Sequence, residues 1–279
     1  MKEVTRLFRF ALYAWLFFYS TAVLFLGEDA FVSAPVQLAR GGGLLSGIGE
    51  LVGAATPEVC MAIVMALMLL SIGMVRWPRW WLGLLTWLLF RSVTHRMWLA
   101  SNGGIQLIEN MLFWSSFMSF PSRQAYGHMT TWPHELMSSS AFWIGRLQLL
   151  LPYAVAAAHK FTGTTWLDGT AMSLVAADPT FHLGWLVTSP VVCMVLTYAT
   201  LGFMTLFPLA VWWKPTRRLW LCIGVVFHLS TAIFMDIPQM AFAFIACYSI
   251  WLNEDEAQVV MQRLQLLLRP NAVRGMRTA

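Results

Sequence analysis

Residues 142–172 read FWIGRLQLLLPYAVAAAHKFTGTTWLDGTAM. The run from Phe142 to His159 is apolar enough to predict a membrane-spanning helix, and it leads directly into Lys160 and a glycine-bearing loop. Because ionisable groups beside a bilayer core are costly, the His-Lys pair predicts a functional site. The alternative is structural: Lys160 ends its helix and extends its ammonium group to the lipid headgroups.

Two features of the same segment favour a site. Arg146, Tyr153 and Lys160 are spaced seven residues apart, which places them near one stripe of a helix. Lipid cannot satisfy such a stripe, so we expect it to face protein. Pro152 lies within the segment, where it frees the carbonyl of Gln148 and favours a kink. This combination is typical of helices that line cavities.

The composition of the whole chain indicates an integral membrane protein. Of 279 residues, 58% are hydrophobic and 11% are charged, and the mean hydropathy is +0.65. Soluble domains average about 25% charged residues. The net charge of +5 comes from basic residues scattered among short inter-helix segments, so nucleic-acid binding is not predicted. The expected fold class is all-α, a polytopic transmembrane helix bundle.

The apolar runs predict about eight spans. They cover Phe10–Leu26, Val59–Val75, Trp80–Leu99, Ile105–Phe120, Phe142–His159, Trp185–Trp212, Leu219–Phe234 and Met240–Leu252. Residues 1–252 thus form one transmembrane domain, and residues 253–279 form a cytoplasmic amphipathic helix with a disordered end. With both termini cytoplasmic, only Arg40, Arg91, Arg96 and Lys160 of the eighteen basic residues lie outside, which agrees with the positive-inside rule.

The segments between spans suggest further contacts. Residues 27–57 are predicted as an external loop, and residues 121–140 as a polar loop inside the cell. Glu109 is positioned to pair with Arg96 or Arg91 across the third and fourth spans. Thr165 to Asp168 matches a capping box, which predicts a short helix from Trp166 to about Ala177. Asp168 would then be either its cap or a contributor to the Lys160 site.

The cysteines and histidines do not predict a metal site. Four cysteines, Cys60, Cys193, Cys222 and Cys247, occur singly in apolar runs, which favours buried free thiols over the alternatives of a disulfide or a soft-metal site. His128 and His134 are spaced unlike zinc ligands. His228, in the seventh span, has two interpretations: an inter-helix hydrogen bond or a functional group.

Parts of the chain resemble a known family. Tyr153, the small residues 156–158, Lys160, Trp166 and Gly169 resemble the Y-x-x-A-G-x-x-K-x-x-x-x-W-x-x-G pattern of the vitamin K-dependent gamma-carboxylase-like (HTTM) membrane family. Residues 201–252 are similar to the family's later block of a basic turn, an intramembrane histidine and two apolar segments. Residues 102–104, Asn-Gly-Gly, resemble its earlier block, with glycines where the carboxylases have histidine.

This resemblance implies a chemistry and a set of roles. In the family, the matching lysine deprotonates a reduced quinone, whose oxygenation yields a strong base. For this chain, the resemblance implies that Lys160 and His228 are catalytic. It also implies that four residues contribute to a reduced-quinone site: Tyr153, His159, Trp166 and Gly169. Because a large extracytoplasmic substrate-binding domain is not expected in 279 residues, the resemblance does not by itself imply glutamate carboxylation, and another quinone-linked reaction is the alternative.

The closer analogue in size is the short bacterial branch of the family, which includes maturation factors such as that of the sporulation-delaying protein system. The expected function is a quinone-linked enzyme or maturation subunit in the bacterial inner membrane. It would act with a protein partner on a small secreted peptide or a lipid-soluble substrate at the extracytoplasmic face. The alternative is a non-catalytic transmembrane subunit of a larger complex, in which the Lys160 motif is architectural.

Overall fold

The structure, a computed structural model, describes residues 2–26, 56–97, 101–118, 132–186 and 189–268. Its α-helices are α1 Lys2–Leu26, α2 Pro57–Arg76, α3 Trp80–Arg96, α4 Gly103–Phe117, α5 Trp132–Phe161, α6 Thr164–Leu167, α7 Ala171–Ala177, α8 Pro190–Ala210, α9 Lys214–Phe234, α10 Pro238–Tyr248 and α11 Glu254–Leu268. Short 3₁₀ turns occupy Gly184–Leu186 and Ser249–Trp251. All regular structure in these ranges is helical, which confirms the all-α part of the predicted fold class.

Proline and asparagine set several helix starts. Three helices have a proline in their first turn: Pro57 in α2, Pro190 in α8 and Pro238 in α10. Proline lacks a backbone N–H, and an N–H at this position would have no acceptor within the helix. Asn102 caps α4, because its side-chain oxygen accepts hydrogen bonds from the amides of Gly104 and Ile105 at 3.0 and 3.2 Å. The Asn-Gly-Gly turn predicted from the sequence is thus a helix N-terminus.

Several predicted boundaries were wrong. Helix α1 begins at Lys2, so the basic residues before Phe10 are already helical. Helix α5 begins at Trp132, which makes residues 132–140 helical rather than loop; residues 119–131 lie outside the described residues. The sixth span begins at Pro190, since Trp185 belongs to a 3₁₀ turn. The tail helix predicted from Glu254 onward is confirmed as α11.

In the described part of the chain, five helices are long and apolar enough to cross a membrane: α1, α2, α5, α8 and α9. The other three predicted spans correspond to α3, α4 and α10, with 17, 15 and 11 residues. A perpendicular crossing of the hydrocarbon core takes about 20 helical residues. The structure therefore supports a membrane protein with five candidate spans, and a count of eight remains a prediction.

The short helix α10 lies at the centre of the bundle. It packs against α1, α4, α5 and α9, while α5 also packs against α8. Trp251, at the end of the turn that follows α10, is the largest fully buried side chain. A smaller cluster, formed by Ala176, Leu183, Leu186 and Cys193, joins α7 to the start of α8. The shortest of the predicted spans, α10, is thus the helix at the centre of the bundle.

The outer faces of the long helices are apolar. Leu69 on α2, Val191 and Leu209 on α8, and Val226 on α9 are each at least 64% exposed. In water such a surface would promote association, whereas lipid solvates it at no cost. The exposed apolar faces therefore match a bilayer environment.

Charged side chains connect the helices at several points. Arg91 on α3 forms an ion pair with Glu109 on α4, which confirms one of the two predicted pairings. The side chain of Arg96 is outside the described part of the chain. Arg218 on α9 pairs with Glu256 on α11. The amide of Glu3 donates to the Glu254 carboxylate at 2.9 Å, so α11 docks on α1.

None of the four cysteines forms a disulfide, as predicted. Cys60, Cys193 and Cys247 are buried, but Cys222 is exposed on α9, which corrects the expectation that every thiol is buried. Residues 27–55, which hold most of the predicted external loop, lie outside the described ranges, as does His128.

Candidate functional site

Three buried polar side chains from three helices meet inside the bundle. The hydroxyl of Tyr153 on α5 lies 2.5 Å from Nε2 of His228 on α9. The same hydroxyl lies 2.6 Å from the hydroxyl of Tyr248, the last residue of α10. All three side chains are buried, at 2%, 2% and 4% exposure for Tyr153, His228 and Tyr248. We call this group the Tyr-His-Tyr network.

Tyr153 is the central member of the network. A tyrosine hydroxyl has one proton and can also accept, so Tyr153 donates to one neighbour and accepts from the other. If Tyr153 donates to Nε2, then Nδ1 of the neutral His228 ring carries the proton, and Tyr248 donates to Tyr153. In the reverse order, His228 donates from Nε2 and Tyr153 donates to Tyr248. The network therefore links the protonation of His228 to the orientation of two hydroxyl groups.

An aromatic shell surrounds the network. The His228 ring stacks on Phe244 with a centroid distance of 4.5 Å and an interplanar angle of 10°. Tyr153 contacts the rings of Phe203 and Phe207 at centroid distances of 5.7 and 4.7 Å. Buried polar groups strengthen their mutual hydrogen bonds in such an apolar setting, and any group left unpaired is costly.

His228 has one ring nitrogen left over. Its Nδ1 atom is buried and has no hydrogen-bond partner among the described residues. A buried unpaired donor or acceptor costs about 1–3 kcal/mol, so native structures seldom keep one without a reason. The unpaired nitrogen is a position where a polar group of a ligand would be stabilised.

Gly224 makes room for Tyr248, a role that the sequence analysis missed. A Cβ atom at position 224 would lie 2.7 Å from Cζ and 2.8 Å from Cε2 of Tyr248. Gly224 precedes His228 by four residues and therefore shares its helix face. In the sequence, a glycine one helical turn before His228 indicates that another helix can approach closely at this position. The sequence does not indicate that the approaching side chain is Tyr248.

Lys160 lies at the other end of the same α5 stripe. It is the second-last residue of the helix and half-buried, and its Nζ atom lies 4.1 Å from the centroid of the Trp166 ring. Among the residues that the structure describes, no carboxylate forms an ion pair with it. The contact with Trp166 confirms that Lys160 faces protein, as the stripe predicted.

Asp168 does not join Lys160. Its carboxylate accepts hydrogen bonds from the hydroxyl and the amide of Thr170, at 2.6 and 2.9 Å. These bonds, the hydroxyl first and the amide second, hold the pKa of the exposed Asp168 carboxyl below its usual value. Asp168 therefore stabilises the turn that leads into α7 and leaves the charge of Lys160 unpaired.

The capping-box prediction was wrong. Gly163, rather than Thr165, is the N-cap of α6, and the predicted single helix is divided into α6 and α7 by a turn. Gly169 forms that turn with φ of +81°, a backbone conformation that favours glycine. A Cβ atom there would lie 2.8 Å from Cγ of Met194 on α8. Gly169 thus docks the Trp166 loop against α8.

The structure therefore separates the predicted site residues into two groups. Tyr153 and His228 belong to the buried network, whereas Lys160, Trp166 and Gly169 lie at the helix end. Seven residues of helix separate Tyr153 from Lys160, about 10 Å along the axis. The buried Ala157 lies between them on the same stripe. His159 is exposed and faces away from the stripe.

The described ranges contain no group of three His, Cys, Asp or Glu side chains placed to hold a metal ion. Searches against protein-family models, curated proteins and solved structures found no match for this chain. The HTTM resemblance therefore remains a prediction based on the residues quoted above.

Proposed function

We propose that this chain is a multi-pass protein of the bacterial inner membrane in which Lys160 acts as a base on a reduced quinone. The observation that carries the proposal is the position of Lys160: half-buried, stacked on Trp166, and without a carboxylate partner in the described ranges. A lysine that merely ends a helix would extend into water or lipid headgroups. This lysine instead turns back onto protein.

Two opposing effects suit Lys160 to accept a proton. Removal from water favours the neutral amine, which is the form that can act as a base. The face of the Trp166 ring stabilises the ammonium once it has formed, by about 0.5–2 kcal/mol. Partial burial thus favours release of the proton from the ammonium, and the Trp166 ring stabilises the cation that forms when the amine accepts a proton.

The residues present also fit a quinone headgroup. Nδ1 of His228 is a buried polar atom that needs a partner, and the rings around it offer flat apolar surfaces. Nδ1 of His228 would hydrogen-bond the headgroup, and Tyr153, whose hydroxyl is already bonded to His228 and Tyr248, would line the pocket and hold the His228 ring in place. Trp166, on the loop that Gly169 anchors, would cover the entrance. When bound, a reduced quinone supplies two electrons and two phenolic protons. Lys160 would receive one of these phenolic protons, and the Tyr-His-Tyr network would set the hydrogen bonds around the quinone headgroup.

The remaining elements of the proposal follow from the family resemblance and the charge distribution. The Lys160 end would face the extracytoplasmic side, because the basic segments predict the opposite side as cytoplasmic. The substrate would be a small secreted peptide or a lipid-soluble molecule, presented with a protein partner. The first test is to extract the purified protein and measure bound quinone per chain. No bound quinone together with a stable large partner would favour the non-catalytic subunit.

The second test separates a base from a structural lysine. Oxidation of an added short-chain naphthoquinol by dissolved dioxygen, which accepts the two electrons, is followed in proteoliposomes with the unchanged protein, Lys160→Arg and Lys160→Ala. Arginine keeps the charge and the contact with Trp166 but cannot release its proton near neutral pH. We therefore expect both variants to lose activity by about 100-fold or more, the contribution of a general base. The wild-type rate should rise with pH, because the neutral amine is the active form.

Lys214, exposed at the start of α9, provides the matched control. Lys214→Ala removes the same charge from another helix end and should leave the naphthoquinol rate unchanged. An active Lys160→Arg protein would disprove the base assignment, and an inactive Lys214→Ala protein would show that the assay reports general damage.

A further inference from the structure

Two arginines approach one buried indole ring at the end of the bundle that carries α11. Trp251 is fully buried after α10. The guanidinium carbon of Arg146 on α5 lies 4.8 Å from its ring centroid, and that of Arg217 in the first turn of α9 lies 5.8 Å away. Two positive charges from different helices are thus held beside the same aromatic group.

Main-chain carbonyls hold these guanidinium groups without neutralising them. Nε of Arg146 donates to the carbonyl of Ile250 at 3.1 Å. Nε of Arg217 donates to the carbonyl of Val211 at 3.0 Å, and Nη2 to that of Trp212 at 3.4 Å. The described part of the chain gives neither arginine a carboxylate partner. Within the described ranges, neither terminal nitrogen of Arg146 donates a hydrogen bond, and Nη1 of Arg217 does not donate one either.

The neighbouring Arg218 shows that acidic groups are within reach of α9. It forms an ion pair with Glu256 on α11, although it follows Arg217 directly in the sequence. The charge of Arg217 acts unfavourably on that of Arg146, and the positive end of the α9 dipole adds to the same field. The repulsion between two like charges that are partly removed from water is relieved when an anion binds to both of them.

The aromatic surroundings of this pair are typical of the lipid-headgroup region of a membrane. The rings of Trp143 and Trp212 stack at a centroid distance of 6.1 Å, and both are exposed. Tryptophan is enriched at membrane interfaces, and basic residues are enriched on the cytoplasmic side. From Trp143, the exposed side chains of Leu147, Leu151 and Val155 follow at four-residue spacing and form an apolar stripe along α5.

We propose that Arg146 and Arg217 bind the phosphate group of an anionic phospholipid. The planar guanidinium group matches the oxygens of a phosphate, and one phosphate would neutralise part of the charge of both arginines. The apolar stripe on α5 accommodates an acyl chain that runs from this headgroup into the bilayer. A free phosphate ion offers the same oxygens but cannot use the stripe. This site does not depend on the chemistry of Lys160.

The test measures lipid binding to the purified full-length protein in detergent. Palmitoyl-oleoyl phosphatidylglycerol or phosphatidylcholine is added, and bound lipid is counted by native mass spectrometry while the thermal unfolding midpoint is recorded. We expect phosphatidylglycerol to bind more tightly and to raise the midpoint more than phosphatidylcholine does. Arg146→Gln and Arg217→Gln should each weaken phosphatidylglycerol binding about tenfold, the effect of losing one charge-assisted hydrogen bond.

Arg218→Gln is the control, because Arg218 already has an acidic partner, and its affinity for phosphatidylglycerol should be unchanged. Equal effects of the two lipids on the unchanged protein would overturn the proposal without any variant. An equal loss in Arg218→Gln would show only general electrostatic attraction and would also overturn it. If millimolar inorganic phosphate reproduces the midpoint shift, the ligand is the free ion and the lipid assignment fails. If the glutamine variants do not purify, Arg146→Lys keeps the charge without the planar group and should bind more weakly than the wild type.

Discussion

The central position of Tyr153 predicts an unequal response of the network to the removal of its polar atoms. Tyr248→Phe removes one hydrogen bond and leaves Tyr153 bonded to His228. His228→Phe also removes one bond and takes away the unpaired Nδ1 atom with it. Tyr153→Phe removes both bonds at once and leaves His228 and Tyr248 unpaired in an apolar shell. The phenylalanine ring preserves the contacts with Phe203 and Phe207, so the comparison isolates the hydroxyl group.

The expected magnitudes follow from the number of orphaned groups. Tyr248→Phe should lower the free energy of unfolding by about 1 kcal/mol, the net value of one hydrogen bond. Tyr153→Phe creates two unpaired buried groups at about 1–3 kcal/mol each. Measured inter-helix hydrogen bonds in membrane proteins average about 0.6 kcal/mol, which favours the lower part of the range for each group. For the two groups together, we expect Tyr153→Phe to lower the free energy of unfolding by about 2–3 kcal/mol.

The assay is reversible unfolding of the purified protein in mixed micelles with increasing dodecyl sulfate, followed by tryptophan fluorescence. Tyr198→Phe is the control, because Tyr198 is exposed and donates only to the carbonyl of Leu167. We expect a change below about 0.5 kcal/mol there, as for most surface substitutions. If Tyr153→Phe costs no more than Tyr248→Phe, Tyr153 does not bridge two partners and the network is wrong.

Two further predictions concern packing and topology. Gly224→Ala should destabilise the protein by about 1–3 kcal/mol through overpacking against Tyr248, whereas Gly202→Ala, which meets no atom within 4 Å, should be neutral or stabilising in the same unfolding assay. In a variant without the native cysteines, a cysteine at Gly41 should react with an impermeant maleimide in intact cells and one at Thr216 should not; the reverse pattern would place Lys160 on the cytoplasmic side.

Much of the helical framework is readable from the sequence. The apolar runs from Val59 and from Phe142 predict α2 and α5, because a membrane helix satisfies its own backbone and needs only a long apolar segment. The stripe of Arg146, Tyr153 and Lys160 predicts one protein-facing side of α5, and each of the three has a protein partner in the structure. These signals are local, since they depend on residues within a few helical turns.

The depth of a helix in the bundle could not be read in this way. Apolar side chains suit both lipid and protein interior, so hydropathy predicted α10 as a span but could not indicate that it packs against four other helices at the centre of the bundle. Asp168 was expected near Lys160, but a hydroxyl two residues away competes for its carboxylate more effectively than a lysine in the previous helix.

The sequence by itself determined that this is a helical, apolar chain with polar groups on one side of α5, because helix formation and hydropathy act over short distances. Only the tertiary structure decided what those groups contact. His228 and Tyr248 lie 75 and 95 positions from Tyr153, and Trp251 lies still farther along the chain from Arg146. Such contacts depend on which helix faces meet when α5, α9 and α10 pack together, and no local pattern encodes that choice.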